Sequence, residues 1–350
     1  MVSQGPLTGL RFVELAGIGP CPFAAMVLAD LGAQGLRIEN PEGVHALGSL
    51  NHDITRRGRE VRQIDIRSDD GRAELLSLVT ETDLLIEGFR PGVLERRGLG
   101  PQILLEQNPA LVIGRMTGWG QDGPWARTAG HDLTYLAVAG ILAHIGRRGA
   151  PPTPPQNLVA DYGGGAMLLL VGVLAALWES QRTGVGQVVD AAMVDGCALL
   201  SAFVRGLHAS GAWSLEAGVN LLDSGAPFYD VYRTKDDRWL AIAPLEPKFF
   251  AEFVVLAGID QSWCTAQYDQ SQWPALREAI ATTIVRRTRD DWARVFEGTD
   301  ACVAPVLTMI EAAEHPHLVA RGTFVTADGI TQPAAAPRFL RRDSGDARGT

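Results

Sequence analysis

Apolar segments and helix-like segments alternate along the first 200 residues, and this alternation limits the possible folds more than any other feature of the sequence. Short apolar segments of this kind are typical of buried strands, and the segments between them carry helical periodicity. We predict strands at residues 10–15, 36–39, 61–66, 84–86, 111–113 and 188–191. We predict helices at residues 23–31, 69–80, 131–145, 161–182 and 194–207. Strands that alternate with helices favour an α/β fold whose sheet is mainly parallel and doubly wound.

The pattern changes after Ala209, and the length of the chain agrees with two domains. A chain of 350 residues exceeds the roughly 250–300 residues at which a single core stops growing. We predict a large α/β domain at residues 1–210, a linker at 211–224 and a small α+β domain at 225–310. The small domain would hold a hairpin of residues 227–233 and 239–243, and helices at 247–256 and 273–285. Residues 311–350 are the predicted return segment and C-terminal tail.

Composition and charge argue against several classes of protein. With 46% hydrophobic and 20% charged residues, the chain has the balance of a soluble globular enzyme rather than of a disordered protein. Its formal net charge of −9 argues against nucleic acid or an anionic membrane as a partner. The apolar residues 162–178 include three consecutive glycines near their start. We therefore expect them to form a buried helix rather than a membrane span.

The two ends of the sequence and its cysteines predict a cytoplasmic protein without a bound metal. The first ten residues, MVSQGPLTGL, lack the basic and apolar regions of a secretory signal, and the last three residues are not the peroxisomal signal SKL. The spacing between the four cysteines fits no metal site, so free thiols in a reducing compartment are expected. These cysteines are Cys21, Cys197, Cys264 and Cys302.

Three ionisable residues stand at the starts or ends of predicted elements. His131 opens a predicted helix directly after the Gly- and Trp-rich loop 117–129, and Asp161 precedes three glycines and the apolar helix. Glu246 ends the predicted hairpin of the small domain. Each also fits a plain role, since His131 and Asp161 could cap helices and Glu246 could be a solvated turn residue. The glycines after Asp161 favour a functional role there, because they let a ligand approach the backbone closely.

An imidazole, a carboxylic acid and free backbone N–H groups together suit proton transfer next to a thioester carbonyl. The α-proton of a thioester is weakly acidic, so its removal needs a positioned base and a stabilised enolate. An imidazole and a carboxyl group on opposite faces of the carbon could exchange the roles of base and acid, each contributing about 10²–10⁴ in rate. A helix N-terminus supplies donors for the enolate oxygen. Glu246 could orient His131, and Asn157 could hydrogen-bond Asp161.

Arginines crowd the first hundred residues and could bind the phosphates of a CoA ester. A solvated basic face is the alternative. Residues 17–22 begin like the dinucleotide-binding fingerprint, but they lack its third glycine and contain two prolines, and no P-loop occurs. The arginines are Arg37, Arg56, Arg57, Arg59, Arg62, Arg67, Arg90, Arg96 and Arg97.

Several of these segments together resemble the α-methylacyl-CoA racemases of the family III CoA-transferase superfamily. The resemblance covers nearly the whole chain and keeps a specific order of motifs. Its central segments are GRMTGWGQDGP at residues 114–124, AGHDLTYLAVAGIL at 129–142 and NLVADYGGG at 157–165. The segments GQVVDAAMVDG at 186–196 and APLEPKFFAEF at 243–253 also match. The resemblance implies an acyl-CoA thioester substrate, no cofactor besides the CoA of that substrate, and an interlocked homodimer.

The resemblance also implies roles for individual residues. His131 and Asp161 would transfer the proton, with Glu246 as the partner of His131 and Asn157 as the partner of Asp161. The backbone at Asp132 would receive the enolate oxygen. The acyl-CoA site would be lined by Gly130, Asp132, Leu133, Thr134 and Tyr135, with Ile64, Asp65, Ile66 and Arg67 near the CoA moiety and Arg37, Arg90 and Arg96 as basic contacts.

One departure from the family and two rival functions bear on this assignment. Where the family usually carries RxDRP, with a basic residue that binds CoA, residues 37–41 read RIENP, and Asn40 cannot neutralise a phosphate. One rival is a family III CoA-transferase, in which Asp161 would attack the thioester and form a mixed anhydride. The other is a catalytically inactive CoA-binding protein. The presence of His131 and Glu246 beside Asp161 favours the racemase over both.

Overall fold

The computed structural model describes residues 5–41 and 52–340. The chain divides into two compact units. The first comprises Met1–Ile141, Pro155–Ala202 and Val325–Thr350, and the second comprises Leu142–Pro154 and Phe203–Phe324. The edges of these units differ from those of the predicted domains, because residues 142–154 and 203–224 group with the second unit.

A six-stranded parallel sheet forms the centre of the first unit. Its strands are hydrogen-bonded in the order β3-β2-β1-β4-β5-β6, and each pair is parallel. The predicted α/β class with a mainly parallel, doubly wound sheet is therefore confirmed. The strand order reverses between β1 and β4, and in such sheets ligands bind at this point, outside the carboxyl ends of the strands. The strands are β1 (Arg11–Leu15), β2 (Gln34–Glu39), β3 (Arg59–Gln63), β4 (Leu84–Glu87), β5 (Val112–Thr117) and β6 (Gln187–Ala192).

Helices connect and cover these strands. A nine-residue π-helical segment, Leu158–Ala166, which we call the π segment, leads directly into α6. The predicted helix at 131–145 is shorter in the structure, because Gly140 adopts a positive φ of 79° that terminates α5. Ser68, rather than Asp69 or Asp70, caps α2. The helices are α1 (Pro20–Asp30), α2 (Asp69–Val79), α3 (Val93–Arg96), α4 (Pro101–Gln107), α5 (Asp132–Val138), α6 (Met167–Thr183) and α7 (Met193–Leu200).

Helix α6 packs closely on the sheet. A Cβ atom added to Gly114 of β5 would lie 2.9 Å from Val173 and 3.0 Å from Leu169, and both of these α6 side chains are fully buried. The π segment and α6 together, Leu158–Thr183, form the one helix among the described residues that is long and apolar enough to cross a membrane. One face of α6 is thus buried against β5, whereas other apolar side chains of the helix are exposed, so the helix that was predicted to be buried is only partly buried.

The second unit contains a three-stranded antiparallel sheet and several helices around an aromatic core. The predicted hairpin is formed by β7 (Asp230–Arg233) and β8 (Trp239–Ile242), and β9 (Val303–Pro305) pairs with β8. Phe228, Phe250, Phe253 and Trp292 are buried in the core. The helices are α8 (Ala202–Ala209), which begins at the edge of this unit, α9 (Pro247–Ala257), α10 (Trp273–Ile284), α11 (Arg289–Phe296), α12 (Met309–Glu314) and α13 (Pro316–Arg321).

A two-stranded sheet near the C-terminus was not predicted from the sequence. It consists of β10 (Phe324–Ala327) and β11 (Ile330–Pro333), joined by Asp328 and Gly329, which both adopt positive φ. Asp-Gly between strand-forming residues is a strong hairpin signal. Arg57 holds this hairpin through the carbonyl oxygen of Pro333 at 2.7 Å.

Candidate active site

The loop after β1 lies against Asp161. Gly19, the last residue before α1, has a φ of 71°, which residues with a side chain adopt only with strain. A Cβ atom at this position would lie 3.1 Å from Asp161 Oδ2, so the glycine also leaves room for the carboxyl group. Asp161 therefore stands at the carboxyl end of β1, where the strand order reverses and ligands bind in sheets of this type.

The N-terminus of α1 is not built to bind a phosphate group. Pro20 and Pro22 occupy its first turn, and proline has no N–H group to donate. A dinucleotide-binding helix instead directs several free N–H groups at the pyrophosphate. The structure thus agrees with the incomplete fingerprint at residues 17–22, and the carboxyl group of Asp161 lies beside this helix start.

His131 lies directly before α5 and close to Asp161. Thr134 supplies side-chain bonds at this helix start, since its hydroxyl accepts from the His131 N–H at 2.9 Å and donates to the His131 carbonyl at 2.7 Å. The side chain of His131 is exposed. Its charge is near enough to Asp161 to lower the pKa of that carboxyl group. The structure therefore brings the two predicted proton-transfer residues to one site.

The pKa of Asp161 is raised from 3.8 to about 6. Burial of the carboxyl group is the largest cause, and the negative charge of Asp132 adds to it. A side-chain hydrogen bond with Asn157 and the charge of His131 lower the pKa, so the predicted contact between Asn157 and Asp161 is present. A carboxyl group that titrates near neutrality can either donate or accept a proton at physiological pH.

Asp132, the first residue of α5, bonds to the backbone of the π segment. Its side chain is buried, and its Oδ2 accepts from the N–H groups of Ala160 at 2.8 Å and of Asp161 at 2.7 Å. The backbone N–H groups of Asp132 and Leu133 lie in the first turn of α5, where a helix offers them no acceptor. These two N–H groups are the candidates for the predicted enolate site.

Tyr135 lies near the same carboxyl group, and Arg90 lies near Tyr135. The ring of Tyr135 is buried, and a Cβ atom at Gly130 would lie 2.5 Å from its Cε1. Burial and the charge of Asp161 raise the pKa of the phenol to about 12, and the charge of Arg90 acts in the opposite direction. Of the predicted lining residues, Tyr135 is thus placed beside Asp161, and Leu133 is 41% exposed on α5.

Three of the predicted CoA contacts have buried side chains. Ile64 and Ile66 are only 3% and 6% exposed and belong to the apolar core of the first unit. The guanidinium of Arg37 is buried and pairs with Glu14 and, at 2.9 Å, with Glu39. Packing and ion pairing already engage these side chains, and the contacts of these residues with CoA stay predictions.

Asp65, Arg67, Arg90 and Arg96 have exposed or partly exposed side chains. Arg67 donates to Asp65 Oδ1 at 2.7 Å, and its Nη2 lies 3.4 Å from Asn40 Oδ1. Most arginines of the neighbouring cluster also form ion pairs, so acidic side chains of the protein already neutralise much of their charge. These pairs are Arg56–Glu39, Arg57–Asp30, Arg59–Glu14 and Arg62–Glu60.

Glu246 lies in the second unit, where it precedes α9 and its side chain is exposed. Its carbonyl oxygen accepts from the N–H of Phe250 at 3.0 Å. The pairing of Glu246 with His131 stays a prediction.

Sequence reasoning missed two features of the site. The first is the proximity of Gly19 to Asp161, for which the Gly-x-Gly-Pro stretch was the available signal. The second is the bond between the Asp132 side chain and the π segment. No local sequence pattern predicts these hydrogen bonds, because Asp132 is 28 and 29 positions away from its two partners in the sequence.

Comparison with known proteins agrees with this architecture. The model of the family described as CoA-transferase family III matches residues 7–348. The chain is 41% identical to "Alpha-methylacyl-CoA racemase" of Mus musculus and of Homo sapiens, over 95% of this chain and 86% of each relative. A solved CAIB/BAIF family protein from Brucella suis superposes with a TM-score of 0.82 at 27% identity, covering 96% of this chain and 93% of that one. The chain therefore belongs to the family III CoA-transferases.

Proposed function

We propose that this protein racemises 2-methylacyl-CoA thioesters by 1,1-proton transfer through an enolate. The observation that carries the proposal is the placement of His131 beside Asp161, whose pKa is raised to about 6. Racemisation requires two groups that can each give and take a proton, and an imidazole with a near-neutral carboxylic acid meets that requirement. The identity with the two racemases adds support.

In the proposed reaction, the side chains exchange roles with the direction of turnover. The deprotonated group, which is the neutral imidazole in one direction and the carboxylate in the other, removes the α-proton, and the protonated partner delivers its own proton to the opposite face. We expect His131 to act as base on the S substrate and Asp161 on the R substrate. The N–H groups of Asp132 and Leu133 at the start of α5 would hold the enolate oxygen, and each good donor of this kind contributes about 3–4 kcal/mol. The protein's own side chains supply every proton in this scheme, so we propose that it needs no cofactor.

We also propose that the protein is a homodimer. Met167, Val171 and Trp178 of α6 are 47%, 63% and 65% exposed. Their spacing of four and seven residues places them on one face of the helix. Large apolar side chains that share an exposed helix face are a common sign of an interface. A second copy of the chain is the occupant that the family resemblance favours, and we expect the dimer to act in the cytoplasm.

Deuterium wash-in tests the proposed reaction against its nearest rival. With a single 2-methylacyl-CoA in D₂O and no acceptor acid, we expect the wild-type protein to exchange the α-proton and to racemise either enantiomer. His131→Ala should lose about 10²–10⁴ in rate, which is the usual contribution of one acid–base group. The measurement is the α-deuterium content by mass spectrometry over time.

Turnover that strictly requires a carboxylate acceptor would instead establish a CoA-transferase with Asp161 as nucleophile. Tight binding of acyl-CoA with neither exchange nor transfer would establish an inactive binding protein.

Asn40→Arg tests whether CoA recognition is weakened at this position. The substitution restores a cation where Asn40 now lies 3.4 Å from Arg67, and we expect it to lower KM for CoA esters through added attraction for phosphate. The matched control substrate is the same acyl group on pantetheine, which lacks the nucleotide phosphates and whose KM should stay constant. An unchanged or higher KM for the CoA ester would contradict the prediction.

A further inference from the structure

The strongest unexplained feature of the site is the buried carboxylate of Asp132. It lies between the two proposed bases in the chain, directly after His131, and it reaches the backbone of the segment that carries Asp161. Its second oxygen, Oδ1, is buried and has no hydrogen-bond partner among the described residues. A buried carboxylate with one unbonded oxygen is costly to keep, so we expect it to serve the site.

The π segment needs an external acceptor at its start. In a π-helix each N–H group bonds five residues back, so the first five N–H groups have no partner within the helix. The N–H groups of Ala160 and Asp161 fall in this set, and Ala160 is fully buried, away from water. Asn157, which precedes the segment, hydrogen-bonds the Asp161 side chain. Asp132 Oδ2 accepts from both N–H groups and thereby fixes the backbone of Asp161.

We propose that Asp132 is a positioning residue. Its side chain joins the start of α5, next to His131, to the π segment, which carries Asp161, and so sets the geometry of proton transfer. The inference rests on the proposed racemase function and adds a role for a side chain rather than for the backbone N–H of this residue. Burial of Asp161 itself is the largest cause of its raised pKa, and the negative charge of Asp132 adds to it and so helps to keep Asp161 protonatable.

The charged and titratable groups around Asp161 determine the expected pH effect. These are His131 directly before α5, Asp132 and Tyr135 of α5, and Cys197 of α7. Arg90, in the loop after β4, acts on Tyr135. The pKa of Tyr135 is about 12 and that of Cys197 about 11, so both remain neutral at physiological pH. The start of α1 presents Gly19 and Pro20, which carry no charge. Removing the negative charge of Asp132 therefore favours deprotonation of Asp161, because that charge stabilises the protonated carboxyl group.

Two substitutions separate the geometry from the charge. Asp132→Asn keeps a carbonyl oxygen that can accept from Ala160 and Asp161 but removes the charge. We expect it to keep kcat within about tenfold at its own optimum and to move the limb of the pH profile of kcat/KM that reports Asp161 to lower pH by about one unit. Asp132→Ala removes the acceptor too, and we expect kcat to fall about 100-fold or more with little change in KM, since misplacement of this order acts on the chemical step.

The matched control is Asp122→Asn. Asp122 is an exposed carboxylate of the same unit, and its charge does not contribute to the pKa shift of Asp161. It should leave both kcat and the pH profile in place. Wild-type exchange is measured first, so its absence would refute the racemase function itself. If the wild type exchanges, an unshifted profile in Asp132→Asn overturns the positioning role, and so does wild-type kcat in Asp132→Ala. If Asp132→Ala does not fold, the pH profile of kcat/KM of Asp132→Asn alone tests the proposal.

Discussion

Asp161→Asn is expected to abolish racemisation and α-proton exchange from the R substrate, and at the same time to stabilise the fold at pH 8. The amide cannot give or take a proton, so the rate should fall by about 10³ or more, at the upper end of the range for one acid–base group. The gain in stability arises because the charged carboxylate is partly buried near Asp132. Active sites commonly hold such groups at the expense of stability.

The sign of the stability effect follows from the raised pKa. In the folded protein Asp161 binds its proton with a pKa of about 6, against 3.8 in the unfolded chain. The stabilisation from protonation is fully present below about pH 4 and is lost as the pH rises through about 6. A shift of this size corresponds to about 3 kcal/mol at full burial, and the partial exposure of the side chain reduces the expected gain to about 1–2 kcal/mol.

Urea unfolding of both proteins at several pH values checks this prediction. The difference in free energy of unfolding should be largest at about pH 8 and should shrink towards about pH 5, where wild-type Asp161 is mostly protonated in the fold. Asp195→Asn, on the exposed surface of α7, serves as the control and should show no comparable difference. Equal stability of the wild type and Asp161→Asn at pH 8 would contradict the argument, as would residual exchange from the R substrate near the wild-type rate.

The fold of the first unit could be predicted because its central strands β4 and β5 are buried on both faces. Residues 84–87 and 112–116 are buried throughout, and parallel strands of this kind appear in the sequence as continuous apolar segments. The hairpin of β7 and β8 was marked by Lys235-Asp236-Asp237 between two apolar segments. In contrast, the Asp-Gly signal at 328–329 was present but was overlooked within a tail rich in Pro and Ala.

The ion pairs of the first unit could not be predicted, because their partners are distant in the chain. Arg37 and Arg59 meet Glu14, which lies on another strand of the sheet. A sequence shows a cluster of arginines but not the acidic side chains that fold against it. The nearness of His131 and Asp161 likewise did not follow from their spacing. It was implied by the family resemblance, and in the structure the side chain of Asp132, next to His131 in the chain, accepts from the backbone N–H of Asp161.

The close crossing of the π segment and α7 leads to the second large prediction. A Cβ atom at Gly196 of α7 would overlap the carbonyl group of Gly164, and one at Gly164 would lie 2.8 Å from the N atom of Cys197. Both obstacles are backbone atoms, which cannot rotate away as a side chain can. Only glycine at both positions lets the two helices approach this closely, and Asp161 stands three residues before Gly164.

Gly196→Ala should therefore destabilise the protein by about 3 kcal/mol, at the upper end of the usual range for overpacking, and should lower kcat because α7 displaces the π segment. Gly206→Ala is the matched control: Gly206 also lies in a helix, but an added Cβ there meets nothing within 4 Å. The control should be stabilised by up to about 1 kcal/mol, because alanine favours a helix over glycine. Thermal unfolding and deuterium wash-in rates of the two variants test this prediction. Equal effects in both would mean that helix propensity governs, and that the contact of Gly196 with Gly164 does not hold Asp161 in place.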